Sequence, residues 1–202
     1  MRIARGLRKL GPMSLTFMRE FLASPSSVGA VWPSSLGLAK LMVEASEISS
    51  ANNVLELGPG NGAVTGPILA SLQPGAKFLA IEKSASLASK VSRRYPSARI
   101  LEGCATTLGQ HLRDEDFPAP DAIVSGLPWA SFPESLQDSI LSEVAASLHG
   151  TATFTSFAYF GPHWLPAGRR FRKRLDSFFS SIKKTRVILN NLPPAFVYVC
   201  RK

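Results

Sequence analysis

The sequence predicts a doubly wound α/β fold with seven strands in a mostly parallel sheet and an antiparallel hairpin at the C-terminal end. Three observations support this fold class. Apolar β-forming segments alternate with segments of helical periodicity between residues 54 and 160. A glycine-rich turn at 58–62 joins the first such strand to a helix, and two last β-forming segments flank a turn at 190–194. Alternating strands and helices are typical of parallel sheets covered on both faces.

The elements are predicted in a regular order. Strands are expected at residues 54–57, 77–82, 98–102, 121–124, 151–160, 185–189 and 196–199. Helices are expected at residues 36–47, 63–72, 85–95, 133–148 and 168–181. Ser34 and Ser35 are both suited to cap the first of these helices, and Pro96 ends the third.

The turn at 58–62 is the most informative stretch for function. Its glycines allow the backbone to turn tightly and to approach a ligand, and the helix behind it offers N–H groups. Glu82 ends the second strand 26 positions after Glu56, where a carboxylate can accept both hydroxyls of a ribose. Its glycines are spaced by two and two, so none stands at the third glycine position of the dinucleotide fingerprint G-x-G-x-x-G. An adenosine without phosphates is therefore the expected ligand.

Composition excludes some classes of protein and leaves others open. The chain of 202 residues suits one domain, and its 23 Lys+Arg against 14 Asp+Glu favour binding to nucleic acid or to acidic lipid headgroups. Cys104 and Cys200 have no metal-ligand spacing, so neither a disulfide framework nor a metal site is expected and a reducing cytoplasm is the default. No apolar run reaches the ~20 residues that span a bilayer, and the first residues lack the apolar region of a secretory signal.

Residues 1–24 are predicted to form a separate, basic amphipathic segment, with the main domain at 25–202. The predicted membrane-binding residues are Arg2, Ile3, Arg5, Leu7, Arg8, Lys9 and Leu10. Each basic residue near an anionic bilayer contributes about 1 kcal/mol to adsorption. The alternative is a helix packed on the domain with solvated arginines.

Residues 56–62 resemble motif I of the class I S-adenosylmethionine-dependent methyltransferases, and the predicted order of strands is that of their Rossmann-like fold. The resemblance implies S-adenosylmethionine as cofactor and S-adenosylhomocysteine as product. The cofactor-binding residues that it implies are Glu56, Gly58, Pro59, Gly60, Gly62, Glu82, Lys83, Cys104, Ala105 and Ser125. Cys104 stands where the family commonly has an Asp that contacts adenine. Backbone atoms and packing on Cys104 and Ala105 are expected to replace that contact.

Residues 125–129 resemble motif IV of the amino-methylating members of this superfamily. There, a short polar side chain and backbone carbonyls meet the incoming nitrogen, which implies catalytic roles for Ser125, Gly126 and Leu127. Tyr159 and His163 are candidates to accept the proton of an ammonium substrate. Alignment of a neutral amine with the sulfonium methyl is the main catalytic effect expected, worth up to ~7–11 kcal/mol. The alternative is a proline-containing loop with a buried tryptophan.

The whole chain resembles the bacterial phospholipid N-methyltransferases, which convert phosphatidylethanolamine towards phosphatidylcholine, and the related ornithine-lipid enzymes. The resemblance rests on residues 29–35, 56–65, 124–128, 159–162 and 191–195. It implies a peripheral enzyme on the inner face of the cell membrane, a monomer without metal or nucleic-acid partner, acting on an aminophospholipid. The substrate-binding residues that it implies are Trp32, Ser34, Ser35, Trp129, Tyr159, Arg169 and Arg186.

Methylation of phosphatidylethanolamine is the predicted function, with an ornithine-lipid N-methyltransferase as the first alternative. Two further alternatives stay open. The ribosomal RNA adenine dimethyltransferases share the motif I pattern, but they have Asn at the position of Ser125. They also carry a C-terminal RNA-binding domain, for which no residues are expected after Lys202. A non-catalytic cofactor-binding protein is the second of these, and it would bind S-adenosylmethionine without methylating any amine.

Overall fold

The structure is a computed structural model that describes residues 35–202. The predicted membrane-binding residues at 2–10, and also Trp32 and Ser34, lie outside the described residues. The predicted boundary between residues 24 and 25 lies outside them as well and stays a prediction.

A single seven-stranded sheet forms the centre of the described part of the chain, in the order β3-β2-β1-β4-β5-β7-β6. The strands are β1 (Asn53–Leu57), β2 (Lys77–Glu82), β3 (Arg99–Glu102), β4 (Ala122–Ser125), β5 (Thr153–Tyr159), β6 (Ser181–Lys184) and β7 (Ala195–Arg201). Strands β1 to β5 are parallel, whereas β7 runs antiparallel to β5 and β6. The predicted fold class is therefore confirmed.

Helices cover both faces of the sheet. They are α1 (Leu36–Ala45), α2 (Thr65–Ser71), α3 (Ala85–Arg94), α4 (Leu108–Asp114), α5 (Glu134–Ser147) and α6 (Pro166–Phe178). Apolar side chains of α1 and α2 form one buried cluster with the sheet, and those of α4, α5 and α6 form the other. Strand β1 lies inside the sheet and is buried from Val54 to Leu57, as expected of a parallel strand covered on both faces. No helix in residues 35–202 has the length and apolarity needed to cross a bilayer.

The sixth strand lies earlier in the chain than its sequence predicts. The prediction of a strand at 185–189 is wrong, because β6 is Ser181–Lys184 and follows α6 almost at once. Helix α6 ends at Phe178 because Phe179 is buried and stacks on Phe154, with ring centroids 5.5 Å apart. The chain therefore joins β7 before residue 185, and a single bridge between Ile188 and Ala195 continues the pairing.

Helix α4 is an element that the sequence did not predict. It has seven residues, of which Leu108 and Leu112 are buried one turn apart. Two apolar positions are too few for a helical period to stand out. The helix places His111 over Gly103 beside the site, since a Cβ built on Gly103 would lie 2.6 Å from the His111 Nε2 atom.

Candidate active site

The carboxyl ends of the parallel strands bring four loops together, as the fold class predicts. Adjacent strand ends are joined by backbone hydrogen bonds from Gly58 N–H to Ile81 O (2.9 Å) and from Gly126 N–H to Leu57 O (2.8 Å). Gly103 N–H likewise donates to Glu82 O at 3.0 Å. The loops after β1, β2, β3 and β4 therefore form one continuous edge, on which the predicted cofactor residues lie.

The turn at 58–62 depends on glycine for its backbone conformation. Gly58, Gly60 and Gly62 have φ angles of 69°, 58° and 80°, in the left-handed region that residues with a Cβ rarely adopt. The Tyr95 hydroxyl donates to Gly62 O at 3.2 Å and holds the turn from α3. No pattern in the sequence indicates this role for Tyr95, which only marks the end of a helix.

Glu82 lies against the glycine turn with both carboxylate oxygens directed to backbone amides. Its Oε2 atom accepts from Gly60 N–H at 3.0 Å, and its Oε1 atom accepts from Ser84 N–H at 2.9 Å. Each oxygen retains a second lone pair that can accept a ribose hydroxyl. The carboxylate therefore fits the ribose of an adenosine group held by the turn. Lys83, the next residue, is exposed at the surface.

Glu56 is a buried carboxyl that holds its proton at neutral pH. Burial raises the pKa of Glu56 from 4.5 to about 8, a hydrogen bond from Thr65 lowers it, and the nearby charge of Glu82 raises it further. The Thr65 hydroxyl donates to Glu56 Oε2 at 2.7 Å. A cationic ligand that approaches Glu56 would favour its ionised form. Such a ligand is consistent with the predicted sulfonium cofactor.

Glu56→Gln should make the stability of the ligand-free protein less dependent on pH. Between pH 4.5 and about 8 the folded protein keeps a proton that the unfolded chain has lost. The free energy of unfolding of the wild type therefore falls as the pH rises through this window. The glutamine side chain does not titrate, so the melting temperature of the variant should rise relative to wild type between about pH 5 and pH 8. Thermal melts that stay parallel over this range would contradict the argument, and the exposed Glu102→Gln is the control.

The loop after β4 packs against the glycine turn through their backbones. A Cβ built on Gly126 would lie 2.5 Å from Gly58 O, so only glycine fits there. The Leu127 side chain covers Gly58 from the same direction, because a Cβ on Gly58 would lie 2.6 Å from Leu127 Cδ2. The predicted methyl-transfer loop and the predicted cofactor turn therefore form one unit.

Ser125 is fully buried, and its hydroxyl is held in place by two donors. The Ser125 Oγ atom accepts from Trp129 Nε1–H at 3.0 Å and from Leu127 N–H at 3.3 Å. Two accepted bonds leave the hydroxyl proton of Ser125 available for donation. Gln137 of α5 supports the loop from below, donating from Nε2 to Trp129 O at 2.9 Å, and the sequence did not single it out.

Trp129 is a core residue, although it was predicted to contact substrate. Its ring is buried and stacks on Phe171 with centroids 5.2 Å apart, and it meets Phe154 edge-on. The polar end of the indole is directed to Ser125. Trp129 therefore orients the loop from inside the protein, as in the buried-tryptophan alternative.

Cys104 and Ala105 follow β3, next to the residue whose amide binds Glu82 O. The Thr106 hydroxyl donates to Cys104 Sγ at 3.0 Å, and this hydrogen bond lowers the pKa of the thiol. Both residues are partly exposed, so they are open to contact with a ligand. Their adenine-binding role stays a prediction.

Within residues 35–202 there is no group of three His, Cys, Asp or Glu side chains placed to hold a metal ion.

The proton-acceptor roles of Tyr159 and His163 stay predictions. His163 Nδ1 already accepts from Gly161 N–H at 3.2 Å, which leaves the proton of a neutral ring on Nε2. Burial lowers the pKa of His163, the charge of Lys184 lowers it further, and a bond with the backbone of Tyr159 raises it. Burial also raises the pKa of Tyr159, so its phenol stays protonated at neutral pH.

The remaining predicted substrate residues lie around the β5 side of this edge. The Ser35 hydroxyl caps α1 by accepting from Leu38 N–H at 3.2 Å. Arg169 is exposed in the first turn of α6. Arg186 is also exposed and faces Glu44, with 3.6 Å between Nη2 and Oε2. Contact of these three residues with substrate stays a prediction.

Solved structures share the fold of this chain. The O-methyltransferase from Bacillus cereus in complex with S-adenosylhomocysteine superposes with a TM-score of 0.70 at 15% identity, covering 96% of this chain and 93% of that one. The O-methyltransferase TomG from Streptomyces achromogenes in complex with S-adenosylmethionine gives a TM-score of 0.64 at 16% identity, covering 96% and 92%. The fold is that of a class I methyltransferase.

Relatives by sequence point to the same enzyme class. The ornithine lipid N-methyltransferase of Singulisphaera acidiphila is 28% identical over 188 residues, which are 92% of this chain and 94% of the relative. The ribosomal RNA small subunit methyltransferase A of Corynebacterium jeikeium is 30% identical over 135 residues, but these make up 62% of this chain and 42% of that relative. No protein-family model matches the chain. The predicted class, an S-adenosylmethionine-dependent methyltransferase, is confirmed by this agreement.

Proposed function

We propose that this methyltransferase transfers methyl groups from S-adenosylmethionine to the amine of a membrane aminolipid. The observation that carries the proposal is the alignment with an ornithine lipid N-methyltransferase along nearly the whole of both chains. The alignment with the RNA methyltransferase extends over less than half of that protein. Ornithine lipid therefore stands beside phosphatidylethanolamine, the acceptor first predicted from the sequence. Both lipids present a primary amine near an anionic group.

The proposed reaction requires that the site orient an amine, and the loop after β4 is suited to this. Bound S-adenosylmethionine supplies a methyl group activated by its sulfonium. The carbonyl of Gly126 can accept an N–H group of the substrate amine. The carbonyl of Leu127 already accepts from Trp129 N–H at 3.0 Å and retains a second lone pair for the amine. Ser125 fixes the loop that presents both carbonyls. The amine must be neutral when it attacks the methyl group, and Tyr159 and His163 stay the predicted acceptors of its proton.

The distribution of charge supports a lipid acceptor at an anionic surface. Residues 150–202 contain ten Lys and Arg residues and a single acidic residue, Asp176. Five of these cations pair with carboxylates of the protein: Arg170 and Arg174 with Glu134, Arg172 with Asp176, Arg186 with Glu44, and Arg201 with Glu47. Lys184 lies at the carboxyl edge, with its Nζ atom 5.5 Å from the centre of the Phe196 ring. Lys184 is a candidate partner for the anionic group of the lipid, in addition to Arg169, which the sequence predicts for this role. In this proposal the enzyme acts as a peripheral monomer on the inner face of the cell membrane.

A lipid-product assay tests the proposed function. Purified protein with S-adenosylmethionine is given anionic vesicles that contain either phosphatidylethanolamine or ornithine lipid, and the lipids are analysed by mass spectrometry. We expect a monomethylated amine on at least one lipid, followed by further methylation. The comparison of the two vesicles separates the two acceptors.

A second candidate function is methylation of an adenine in RNA, favoured by the 30% identity to the RNA methyltransferase. The same assay with ribosomal RNA tests it. Methylated RNA without a lipid product would overturn the lipid proposal. Cofactor binding without any methylated product would instead favour a non-catalytic protein.

A further inference from the structure

Six large apolar side chains are exposed in the part of the chain that the structure describes, and they share one edge of the sheet. We call them the apolar rim: Leu36, Phe160, Trp164, Leu165, Leu189 and Leu192. The most exposed are Leu189 at 74%, Leu36 at 64% and Trp164 at 57%. Exposed apolar residues are ordinary when scattered, whereas a group at one place marks an interaction surface.

Hydrogen bonds bring the three segments of the rim together. Phe160 N–H donates to Pro194 O at 2.7 Å, which joins the end of β5 to the loop at 185–194. Ser35 N–H donates to the side-chain oxygen of Asn191 at 3.0 Å, which joins the start of α1 to the same loop. Asn191 is itself buried and donates to Pro193 O at 2.6 Å. The loop is therefore fixed from inside while Leu189 and Leu192 are directed to solvent.

The 3-10 turn at Pro162–Trp164 completes the rim on the other side. The rings of Phe160 and Trp164 meet edge-on with centroids 5.0 Å apart, and His163 lies between them and Phe196. The turn is fixed by α6, because a Cβ on Gly168 would lie 2.6 Å from His163 Cα. Trp164 is thus held outward on a rigid support. Tryptophan at such a position suits the interface between headgroups and acyl chains.

Basic side chains flank the rim and indicate its partner. Lys183, Lys184 and Arg186 lie at the end of β6, and Arg169 lies in the first turn of α6. Both side chains of the Arg186–Glu44 pair are 68% exposed, so this pair neutralises Arg186 only weakly. Apolar residues bordered by cations match an anionic bilayer, in which acyl chains lie beneath negative headgroups.

We propose that the apolar rim is a membrane-docking surface that inserts into the headgroup region of an anionic bilayer. This inference rests on the proposed lipid function and adds a surface separate from the predicted N-terminal helix. Docking here turns the carboxyl edge of the sheet, and with it the candidate active site, towards the membrane. A second copy of the chain is a poorer partner, because two such faces would bring their cations together, whereas anionic lipids neutralise them.

Vesicle binding by rim variants tests the proposal. Leu189→Ser combined with Leu192→Ser should weaken partitioning to anionic vesicles by at least about tenfold, because two exposed leucines no longer enter the bilayer. Lys183→Gln with Lys184→Gln should weaken partitioning and lower its dependence on salt. Lys77→Gln with Arg113→Gln is the matched charge control, since both residues are exposed at or near the opposite edge of the sheet. Its partitioning should stay within about twofold of wild type.

A second measurement does not depend on the stability of the double variant. In the Trp32→Phe protein, the exposed Trp164 should shift its emission to the blue on anionic vesicles and be quenched by lipids brominated on the acyl chain, and Trp164→Ala should remove this signal. Unchanged Trp164 emission on vesicles overturns the proposal. A rim variant that keeps the wild-type melting temperature and cofactor affinity and still partitions to vesicles like the wild type also overturns it. So does a rim variant whose oligomeric state changes while its vesicle binding does not. Insertion of Trp164 without any methylated lipid would leave the docking surface in place and refute the proposed function.

Discussion

Gly126→Ala should reduce kcat/KM for methyl transfer by at least about a hundredfold and weaken cofactor binding at the same time. The new methyl group would lie 2.5 Å from Gly58 O, so the loop after β4 and the glycine turn would have to separate. Overpacking at such a contact also costs about 1–3 kcal/mol of stability. The measurements are steady-state kinetics with the lipid acceptor, calorimetric titration with S-adenosylmethionine, and thermal melts.

Gly37→Ala is the matched control for this prediction. A Cβ at Gly37 would meet Ile188 Cγ2 at 3.5 Å, which is an ordinary contact, and alanine is favourable in a helix. Its activity and cofactor affinity should equal those of the wild type. If Gly126→Ala kept its activity and affinity as Gly37→Ala should, the proposed unit of turn and loop would be wrong.

Glu82→Gln should raise the Kd for S-adenosylmethionine by roughly 10- to 100-fold, because hydrogen bonds to a charged acceptor contribute about 1.5–3 kcal/mol each. Both oxygens of Glu82 accept backbone N–H groups, from Gly60 and Ser84. The glutamine side chain would place its NH₂ group opposite one of these N–H donors. It would also accept hydrogen bonds from the ribose hydroxyls without the negative charge that strengthens them. Calorimetric titration with S-adenosylmethionine and with S-adenosylhomocysteine measures the effect.

Glu102→Gln is a close control, since Glu102 pairs in register with Glu82 on the neighbouring strand and is exposed. Its Kd should stay within about twofold of wild type. If the two variants lost cofactor affinity equally, the general loss of negative charge, rather than the contact with the ribose, would explain the effect.

Much of the fold was predictable because it depends on local patterns. The apolar residues of β1 and β2 predict buried strands, and both strands are buried. The glycines at 58–62 predict a tight turn, and their positive φ angles confirm it. The sixth strand was placed wrongly because residues 185–189 have the stronger β propensity, whereas pairing with β7 begins at Ser181. Burial of Phe179 fixes that register, and tertiary contacts of this kind leave no mark in a local pattern.

The candidate site was predictable where function depends on spacing. Glu82 follows from its distance to the glycine turn along a parallel crossover, and it lies beside Gly60 as expected. The role of Trp129 could not be predicted, because an aromatic residue after a proline can face either the core or the substrate. Tyr95 and Gln137 support the site from helices, and only the packing of those helices brings them to it.

The central claim is that the acceptor is a lipid amine, and a competition between acceptors tests it most directly. Purified protein is incubated with S-adenosylmethionine carrying a trideuterated methyl group, in one mixture of anionic aminolipid vesicles and ribosomal RNA. Mass spectrometry then measures where the label goes. We predict that the label appears on the lipid amine. Label on the RNA, or none on lipid while the protein still binds the cofactor, would contradict the claim.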